Sequence, residues 1–508
     1  MPDGTRTSYA DLLDGAQAIK SRIRSDPLFE RGCRVAFIAS PGVDYVRTLI
    51  GTWQAGAVAV PLCVSHPAEE LHYAISEADA SIVVSSGDAF AEKVGPIAKR
   101  EGKSFIPLEG VPPAPLVEDA AAAPYPAAST HDDAALIIFT SGTTGKPKGV
   151  VLTHGNLEAH TTSLVKAWAW KHTDRILHIL PLHHLHGLGN KLLCALWAGA
   201  SVAFSPPAPR VVWERLARAR EDGLTLFMAV PTNYALLLRF VASNVEGAPD
   251  ADPELVRKGA AGARSLRLMV SGSMALPTPV LTRWRELTGH TLLERYGMTE
   301  LGMALSNPLE GERVVGAVGE PLPGVECRIV DPATGEELDA AGCAEGGELL
   351  VRGPGVFKEY FRRPDETAKA FVEGEWFRTG DHASRDAGGI YRLIGRASVD
   401  VIKSAGYKIS ALEVERILLG HREVAEVAVV GLPSEAFGQR VAAVVVAASE
   451  TNDQGVLLQR LREECAGQLA SYKLPTAIRL VDEIPKNPMG KINKKALLNV
   501  PTDSWQCS

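Results

Sequence analysis

The sequence predicts an α/β protein with a large N-terminal domain of mostly parallel sheets flanked by helices, a small β-barrel-like unit, and a small α+β C-terminal domain. Short β-branched runs alternate with longer amphipathic segments from Cys33 to about Gly297. From about Gly311 to Gly395, glycine, proline and aspartate separate short strand candidates. Helix and strand patterns resume beyond this point. We therefore expect one domain over residues 1–396, β-rich at about 311–395, and a second domain over residues 397–508.

The first region alternates between strand and helix patterns. Its strand candidates are CRVAFIAS, AVAVPL, SIVVSS, ALIIFTS, LHILPL, SVAFS, LTLFMAV, LRLMVSG and TLLERYG. Helical patterns such as DYVRTLIGTWQAG, GNLEAHTTSLVKAWAW and PVLTRWRELTG lie between them. Because parallel strands need a crossover that is usually helical, this alternation predicts largely parallel sheets covered on both faces.

The two later regions differ from the first in their spacing. The β-rich part contains the strand candidates VECRIVD, GELLVRG, WFRTGD and IYRLIG, separated by turn residues. This spacing is typical of an antiparallel or barrel-like unit. In the tail, a helix opens near Ser410, and EVAVVGL and VAAVVVA are strand candidates.

Composition and charge exclude several classes of protein. The chain of 508 residues has a net charge of −7, with 46% hydrophobic and 6% aromatic residues. This composition supports a large core and argues against nucleic acid or an anionic membrane as the main partner. Seven scattered cysteines without a C-x-x-C pair argue against a disulfide framework or zinc site. Because no signal peptide or membrane-spanning run is visible, we expect a cytoplasmic protein, with a processed mitochondrial matrix form as the alternative.

The strongest motif is IIFTSGTTGKPKGVVLTHGNL, in which a buried strand ends at Thr140 and enters a loop rich in glycine, hydroxyls and lysine. Glycines let backbone N–H groups approach an anion, and lysines add charge, so the loop is suited to phosphate. It is not a Walker loop, because Pro147 follows Gly145-Lys146 where that motif has Ser or Thr. The residues predicted to bind phosphate are Thr140, Ser141, Gly142, Thr143, Thr144, Gly145, Lys146 and Lys148.

TSGTTGKPKG resembles the phosphate loop of the adenylate-forming superfamily, which includes acyl-CoA synthetases, luciferases and peptide-synthetase adenylation domains. Further signatures follow in order over nearly the whole chain. They are AGAVAVPL, PLHHLHG, SGSMALP, ERYGMTE, WFRTGD, LIGRASVDVIKSAGYKIS and IPKNPMGKINKKAL. The resemblance implies an AMP-forming acid–thiol ligase that uses ATP, Mg²⁺ and coenzyme A. It also implies that the C-terminal domain is mobile and rotates between the two half-reactions.

The resemblance assigns nucleotide-binding roles residue by residue. Thr299 would contact the α-phosphate, and Glu300 would hold Mg²⁺ together with Thr144. Asp381 and Arg396 would bind the ribose, and Tyr296 would stack on adenine. The remaining positions that the resemblance places around the nucleotide are Ser271, Gly272, Ser273, Glu294, Gly297 and Met298.

In the tail, Lys491 matches the lysine that bridges carboxylate and phosphate as the adenylate forms. Without the motif, an exposed lysine in a basic tail would be the better interpretation. The segment Gly395-Arg396-Ala397-Ser398-Val399-Asp400 is one residue longer than in most relatives, so the hinge lies between Ser398 and Asp400. The residues that the resemblance brings to coenzyme A are Lys403, Ser404, Gly406, Tyr407 and Lys408.

The acid that is activated depends chiefly on Arg295, which replaces the small or neutral residue of most relatives. A buried guanidinium would bind a second carboxylate bidentately, whereas a salt bridge to Glu294 would make the arginine structural. The segments around Arg295 resemble malonyl-CoA synthetases, the mitochondrial type especially, which implies malonate as substrate and methylmalonate as a second one. His184 and Met303 would line the same acyl pocket.

Two alternatives remain open from the sequence. The chain would activate a different short or medium acid if Arg295 were structural, or adenylate an acid for a carrier protein rather than for coenzyme A. It would be a nucleotide-binding or regulatory module without activity if the motif residues did not assemble. Separately, a metal site at His183-His184-Leu185-His186 is a weak interpretation, because no carboxylate or cysteine ligand recurs at helical spacing. The partners expected are small molecules, with no nucleic acid, no membrane span and a monomer favoured.

Overall fold

The computed structural model describes residues 6–108, 130–140, 147–244, 251–396, 399–404, 407–434, 437–448, 453–466, 468–486, 492–498 and 505–507, with the backbone alone at 408, 495 and 507. The strands up to residue 396 are β1 (Arg34–Ile38), β2 (Val58–Pro61), β3 (Ile82–Ser85), β4 (Ser104–Pro107), β5 (Ala134–Thr140), β6 (Lys148–Thr153), β7 (Arg175–His178), β8 (Ser201–Phe204), β9 (Leu226–Ala229), β10 (Leu268–Gly272), β11 (Leu293–Met298), β12 (Gly302–Ser306), β13 (Glu320–Pro321), β14 (Glu326–Val330), β15 (Gly347–Arg352), β16 (Glu359–Tyr360), β17 (Phe371–Val372), β18 (Trp376–Arg385) and β19 (Tyr391–Arg396).

The helices of the same part are α1 (Tyr9–Arg24), α2 (Val43–Ala55), α3 (Ala68–Glu77), α4 (Asp88–Arg100), α5 (His154–Ala167), α6 (Leu185–Gly187), α7 (Cys194–Trp197), α8 (Pro209–Ala217), α9 (Pro231–Ser243), α10 (Pro253–Arg264), α11 (Thr278–Thr288), α12 (Ala340–Glu345) and α13 (Pro364–Ala370). One π-helical turn, Leu188–Leu193, joins α6 to α7 and is called the π turn below.

Two seven-stranded sheets form the framework of the large domain. The first has the order β16-β6-β5-β2-β1-β3-β4, and the second β13-β12-β11-β10-β9-β7-β8. Pairs among β1 to β5 and among β7 to β11 are parallel, whereas β6, β16, β12 and β13 pair antiparallel at the edges. The predicted parallel sheets flanked by helices are confirmed. The central strands are buried on both faces; every residue of β2 and of β3 is buried.

The β-rich part is an open sheet. Its strands are ordered β14-β15-β18-β17, and β19 pairs with β18. The pairs within it are antiparallel, as expected from the turn residues, but the described strands do not close into a barrel. The β18–β19 register sets Asp381 opposite Arg396, so two residues 15 positions apart in sequence become neighbours.

The C-terminal part is a smaller α+β unit. Its elements are β20 (Val401–Ser404), β21 (Tyr407–Ser410), α14 (Ala411–Leu418), β22 (Val424–Ser434), β23 (Gly438–Ala447), α15 (Gln454–Cys465), a 3₁₀ turn (Ser471–Lys473), β24 (Ala477–Leu480), α16 (Lys494–Leu498) and β25 (Gln506–Cys507). Ser410 caps α14, because its hydroxyl accepts a hydrogen bond from Glu413 N at 3.1 Å. The helix predicted to open near Ser410 is therefore confirmed.

A buried ion network ties the end of this unit to its beginning. Lys494 Nζ lies 2.5 Å from Asp400 Oδ1 and 2.6 Å from Glu415 Oε1, and the lysine is 8% exposed. Asp400 Oδ2 also accepts a hydrogen bond from Arg396 N at 3.0 Å. Each carboxylate has the lysine as an ion-pair partner, so this burial is paired rather than isolated.

Contacts of described side chains link the two units across residue 396. The Ser410 hydroxyl donates to the Ile394 carbonyl, and Arg239 Nη2 lies 3.8 Å from Glu426 Oε1. Arg416 packs on the bare backbone of Gly316, where an added Cβ would stand 1.8 Å from its Nη1 atom. None of the helices in the described ranges combines the length and apolar character that crossing a bilayer requires.

Candidate active site

Three of the residues expected at the nucleotide, one each from β11, β18 and β19, are in contact. Tyr296 Oη donates to Asp381 Oδ2 at 2.6 Å, and Arg396 Nε lies 2.8 Å from Asp381 Oδ1. Arg396 Nη1 also donates to the Thr379 carbonyl at 2.9 Å. Burial, and the carboxylate beside it, raise the pKa of Tyr296 far above its usual range, so its hydroxyl stays a donor. The geometry therefore places an aromatic ring beside an anchored carboxylate, as adenine and ribose together require.

A second cluster surrounds Glu300, which lies in the turn after β11 and is 6% exposed. Tyr360 Oη donates to Glu300 Oε1 at 3.0 Å, and Lys148 Nζ lies 5.0 Å from the centre of the Tyr360 ring. Lys148 also forms a salt bridge with Glu366, which lowers the pKa of that carboxylate. Burial raises the pKa of Glu300 above its ordinary value. A cation or phosphate-bound metal at this carboxylate would restore its charged form.

The donor set at Glu300 fits the magnesium ion expected from the sequence. Mg²⁺ takes oxygen ligands and usually binds through one or two carboxylates together with substrate phosphates. Glu300 offers such a carboxylate, and Tyr360 orients it. Within the described ranges no group of three or more His, Cys, Asp or Glu forms a metal cage. The arrangement therefore suits a metal that arrives with the nucleotide.

Several predicted residues line the space between these clusters. Thr299 is partly buried in the turn between β11 and β12. Ser271 and Gly272 end β10, and Ser273 follows with a φ of 71°, an uncommon conformation for a residue with a side chain. Gly297 is required, because an added Cβ would stand 2.1 Å from the Gly302 carbonyl oxygen.

Glu294 shares the Tyr296 side of β11, since side chains alternate along a strand, and Met298 ends the strand beyond a register shift between Tyr296 and Gly297. Glu294 is 8% exposed and its Oε1 atom accepts a hydrogen bond from Gly316 N at 2.9 Å. Burial raises the pKa of Glu294 to about 7. The Glu294 carboxylate thus faces away from Arg295, and no ion pair joins them among the described residues.

Arg295 projects from the opposite face of β11 and is 3% exposed. Its guanidinium packs on Gly272, where an added Cβ would stand 2.7 Å from Cζ. Nη2 lies 3.5 Å from Ser273 Oγ, and Nε and Nη1 have no hydrogen-bond partner in the described part of the chain. Burial lowers the pKa of Arg295 to about 9. A buried fork of free donors is suited to a carboxylate.

Polar residues that the sequence analysis did not select surround this arginine. His186 Nδ1 lies 3.1 Å from Ser273 Oγ, and Lys191 in the π turn is fully buried. His160 Nε2 lies 3.0 Å from Asn190 Oδ1, and Met303 N donates to His160 Nδ1 at 3.2 Å. Burial lowers the pKa of His160 to about 4, so the ring is neutral near pH 7. Lys191 was hidden from sequence reasoning by its apolar neighbours; its one signal is a charge inside LGNKLLCAL.

His184 and Met303, predicted to line the acyl pocket, occupy different positions. Met303 is 5% exposed and lies against Gly297 and His160. His184 is partly buried, and its ring centre lies 4.0 Å from that of His183, which lies 6.0 Å from that of His66. Burial, reinforced by these neighbouring rings, lowers the pKa of His183 to about 2.

The residues expected to contact coenzyme A lie on a hairpin of the small unit. Lys403 and Ser404 end β20, and Ser404 pairs with Tyr407 across the turn. Tyr407 is 52% exposed and stacks on Tyr472, with ring centres 4.1 Å apart. The sequence analysis did not select Tyr472. The predicted residues that lie outside the described ones are Ser141, Gly142, Thr143, Thr144, Gly145, Lys146, Gly406, Lys491 and the side chain of Lys408.

Comparison with known proteins identifies a family that this chain matches. The family model for AMP-binding enzymes matches residues 2–361, and that for the AMP-binding enzyme C-terminal domain matches residues 413–491. The mitochondrial malonate–CoA ligase ACSF3 of Mus musculus is 47% identical over 494 residues, covering 94% of this chain and 83% of the mouse protein. The Homo sapiens protein of the same name is 45% identical, with 92% and 82% covered.

Solved structures are similar over nearly the full length. The ATP-bound MatB from Rhodopseudomonas palustris has a TM-score of 0.82 at 34% identity and covers 98% of this chain and 94% of its own. A malonyl-CoA ligase in a ternary product complex with methylmalonyl-CoA and AMP has a TM-score of 0.64 at 37% identity, with 95% of both chains covered. Sequence and fold therefore agree on the same group of proteins.

Proposed function

The chain belongs to the AMP-binding enzyme family, and on that premise we propose that it ligates malonate to coenzyme A through a malonyl-adenylate, releasing AMP and pyrophosphate. It is an AMP-forming acid–thiol ligase, which the family match and the malonate–CoA ligase relatives support. The observation that carries the choice of acid is Arg295. Its guanidinium is buried beside the predicted adenylate site with two unpartnered nitrogens. A monocarboxylic acid would leave that charge unpaired, at a cost of several kcal/mol in order of magnitude.

In the first half-reaction, one malonate carboxylate oxygen attacks the α-phosphorus of ATP, and the bond from that phosphorus to pyrophosphate breaks. Asp381 and Arg396 would hold the ribose, while Tyr296 would orient the adenine, so that the attack is in line. Lys491 would bridge the carboxylate and the phosphate as charge builds. Glu300 and Thr144 would hold Mg²⁺, which supplies positive charge to the phosphate oxygens when it is bound.

In the second half-reaction, the sulfur of coenzyme A attacks the acyl carbon, and the carbon–oxygen bond to AMP breaks. The thiol proton is released to water as the thioester forms. Throughout both steps Arg295 would hold the distal carboxylate, which keeps the reacting carboxylate at the phosphate. The β20–β21 hairpin would be presented to the thiol after the small domain rotates. Methylmalonate is a second substrate on this proposal, because one methyl group changes binding by only ~1–3 kcal/mol.

The experiment is a thioester product measurement by mass with ATP, Mg²⁺ and coenzyme A. The panel contains malonate, methylmalonate, succinate, acetate, butyrate and octanoate at equal concentration. We expect malonyl-CoA to dominate, with methylmalonyl-CoA next and butyrate inert. Dominance of butyrate or octanoate would leave the ligase class standing and refute malonate as the substrate.

Compartment and assembly are also proposals. The mouse and human malonate–CoA ligases carry the word mitochondrial in their names, which favours the mitochondrion over the cytoplasm for this chain. Fractionation of cells that express the natural gene would decide between the two compartments. We propose a monomer, and sedimentation at catalytic concentration tests it.

A further inference from the structure

The π turn carries a lysine into the interior beside the proposed substrate arginine. Lys191 is 0% exposed, and Leu188 and Leu192 on either side of it are also fully buried. Its ammonium donates a hydrogen bond to the Met228 carbonyl at the end of β9. Single π turns are rare and frequently occur at functional sites. A lysine in this position requires an explanation, because lysine is almost never fully buried unless it is paired.

The described residues offer this lysine no negative partner. An ammonium has three donors, and the Met228 carbonyl uses one of them. Among the described ranges, no carboxylate lies within ion-pair distance of Lys191 or of Arg295. Glu294, adjacent to Arg295 in sequence, faces the other side of β11 and accepts from Gly316. Two basic side chains are therefore buried together without a counter-charge, an arrangement that is costly in the free enzyme.

The other polar atoms of this space are also left unsatisfied. Met303 N donates to His160 Nδ1, so His160 Nε2 carries the proton and donates to Asn190 Oδ1. The Asn190 amide nitrogen then has no partner among the described residues, and neither have His186 Nε2 and Ser271 Oγ. Buried polar groups are normally paired, so this excess of donors points to an anion that is bound during the reaction.

We propose that Lys191 is a second basic residue for the distal anionic group of the acid, acting with Arg295 to select dianionic over monoanionic substrates. The inference rests on the proposed malonate ligation and adds a specificity-determining residue to it. The proximal carboxylate of any acid goes to the nucleotide. A dianion such as malonate has a second charge for Arg295 and Lys191, whereas propionate presents a methyl group there.

The proposal has a consequence for pH. Burial and Arg295 lower the pKa of Lys191 well below its usual range, and His186 and His178 are the other titratable groups facing it. The pKa values of both histidines are lowered too, so the rings are neutral near pH 7. The lysine is a cation below its lowered pKa and neutral above it. The KM for malonate should therefore rise with pH in the wild-type enzyme.

The test compares Lys191→Met with wild type on malonate and propionate, because methionine keeps the length and removes the charge. We expect the KM for malonate to rise about tenfold to a hundredfold, the loss of one charged hydrogen bond, while the KM for propionate is not raised. The variant should lose the part of this pH dependence that comes from Lys191 and keep the rise near pH 9, where Arg295 loses its proton. The exposed Lys166→Met on α5 is the matched control and should change neither value.

A malonate KM within about twofold of wild type would overturn the proposal, as would equal losses on malonate and propionate. If Lys191→Met does not fold, Lys191→Gln provides the same comparison. Failure of the proposed function would be seen in the wild-type enzyme alone. If the wild-type enzyme does not prefer malonate over propionate, the proposed function is refuted. Preference in wild type that Lys191→Met leaves intact refutes only the role of the lysine.

Discussion

Replacing Arg295 by methionine tests the proposed acid most directly. The substitution removes the guanidinium and keeps an unbranched side chain of similar reach. Arg295 is 3% exposed, and Nε and Nη1 have no partner within the described residues, so they are free for substrate. Because no carboxylate of the described chain loses a partner, the free enzyme should fold at least as stably as wild type.

The size of the effect follows from this burial. Removing one partner of a desolvated charge pair costs about 3–5 kcal/mol, since the other charge remains buried and unpaired. This cost corresponds to a loss of about two to four orders of magnitude in kcat/KM for malonate. The assay couples pyrophosphate release to an absorbance change and compares malonate with butyrate. The value for butyrate should not fall.

The matched control is Arg283→Met, which removes an exposed arginine from α11 and should leave both values unchanged. Malonate activity of Arg295→Met within about fivefold of wild type, in a variant that melts normally, would refute the carboxylate clamp. The alternative acid with a structural arginine would then be preferred. Arg295→Lys should recover only part of the loss, because an ammonium cannot form the bidentate contact.

Three further predictions test other parts of the site. Lys491→Ala should abolish pyrophosphate release yet still form thioester from synthetic malonyl-adenylate; retained adenylation would show that its role is wrong. Tyr360→Phe removes the donor to Glu300 and should lower kcat/KM for Mg·ATP about two- to tenfold, the worth of one hydrogen bond, with an unchanged value contradicting the contact. The raised pKa of Glu294, about 7, means that its burial destabilises the fold increasingly as pH rises from about 4.5 to 7. Glu294→Gln should therefore gain up to about 3 kcal/mol over wild type in urea unfolding at pH 8 and little at pH 5; equal gains at both pH values would contradict the titration.

The fold was predictable where local patterns and global topology agree. The strand that ends at Thr140 and the helix capped by Ser410 both carry strong local signals, an apolar run and a hydroxyl before an amphipathic segment. The antiparallel edge strand β12 was not foreseen, because Gly302–Ser306 is as apolar as its parallel neighbours. Periodicity does not reveal strand direction. The open β-rich sheet was expected to be barrel-like for a similar reason, since turn spacing leaves closure undetermined.

The site residues were predictable where a motif identifies each of them. They were not predictable where the site depends on contacts between residues that are distant in sequence. The motifs assign Asp381 and Arg396 to the ribose and Tyr296 to adenine, and the structure brings the three side chains into contact; their roles at the nucleotide stay predictions. The choice between a salt bridge to Glu294 and a free Arg295 depends on which face each side chain takes. The role of Lys191 could not be predicted either, because a single lysine among leucines is also typical of an amphipathic helix that exposes the lysine. Only its burial in the structure distinguishes the two.

The network of Lys494, Asp400 and Glu415 matters for engineering. These three side chains all follow residue 396. Asp400 reaches back to the main-chain N–H of Arg396, which every residue but proline provides, and packs on the bare backbone of Gly395. A graft of this small unit onto a relative, joined just after a glycine–arginine pair, would therefore carry the ion network with it. The designer would still have to match the described side chains that contact the large domain, above all Arg416 on Gly316. The small unit can thus be exchanged as a block, because its junction with the large domain depends on few of the described side chains.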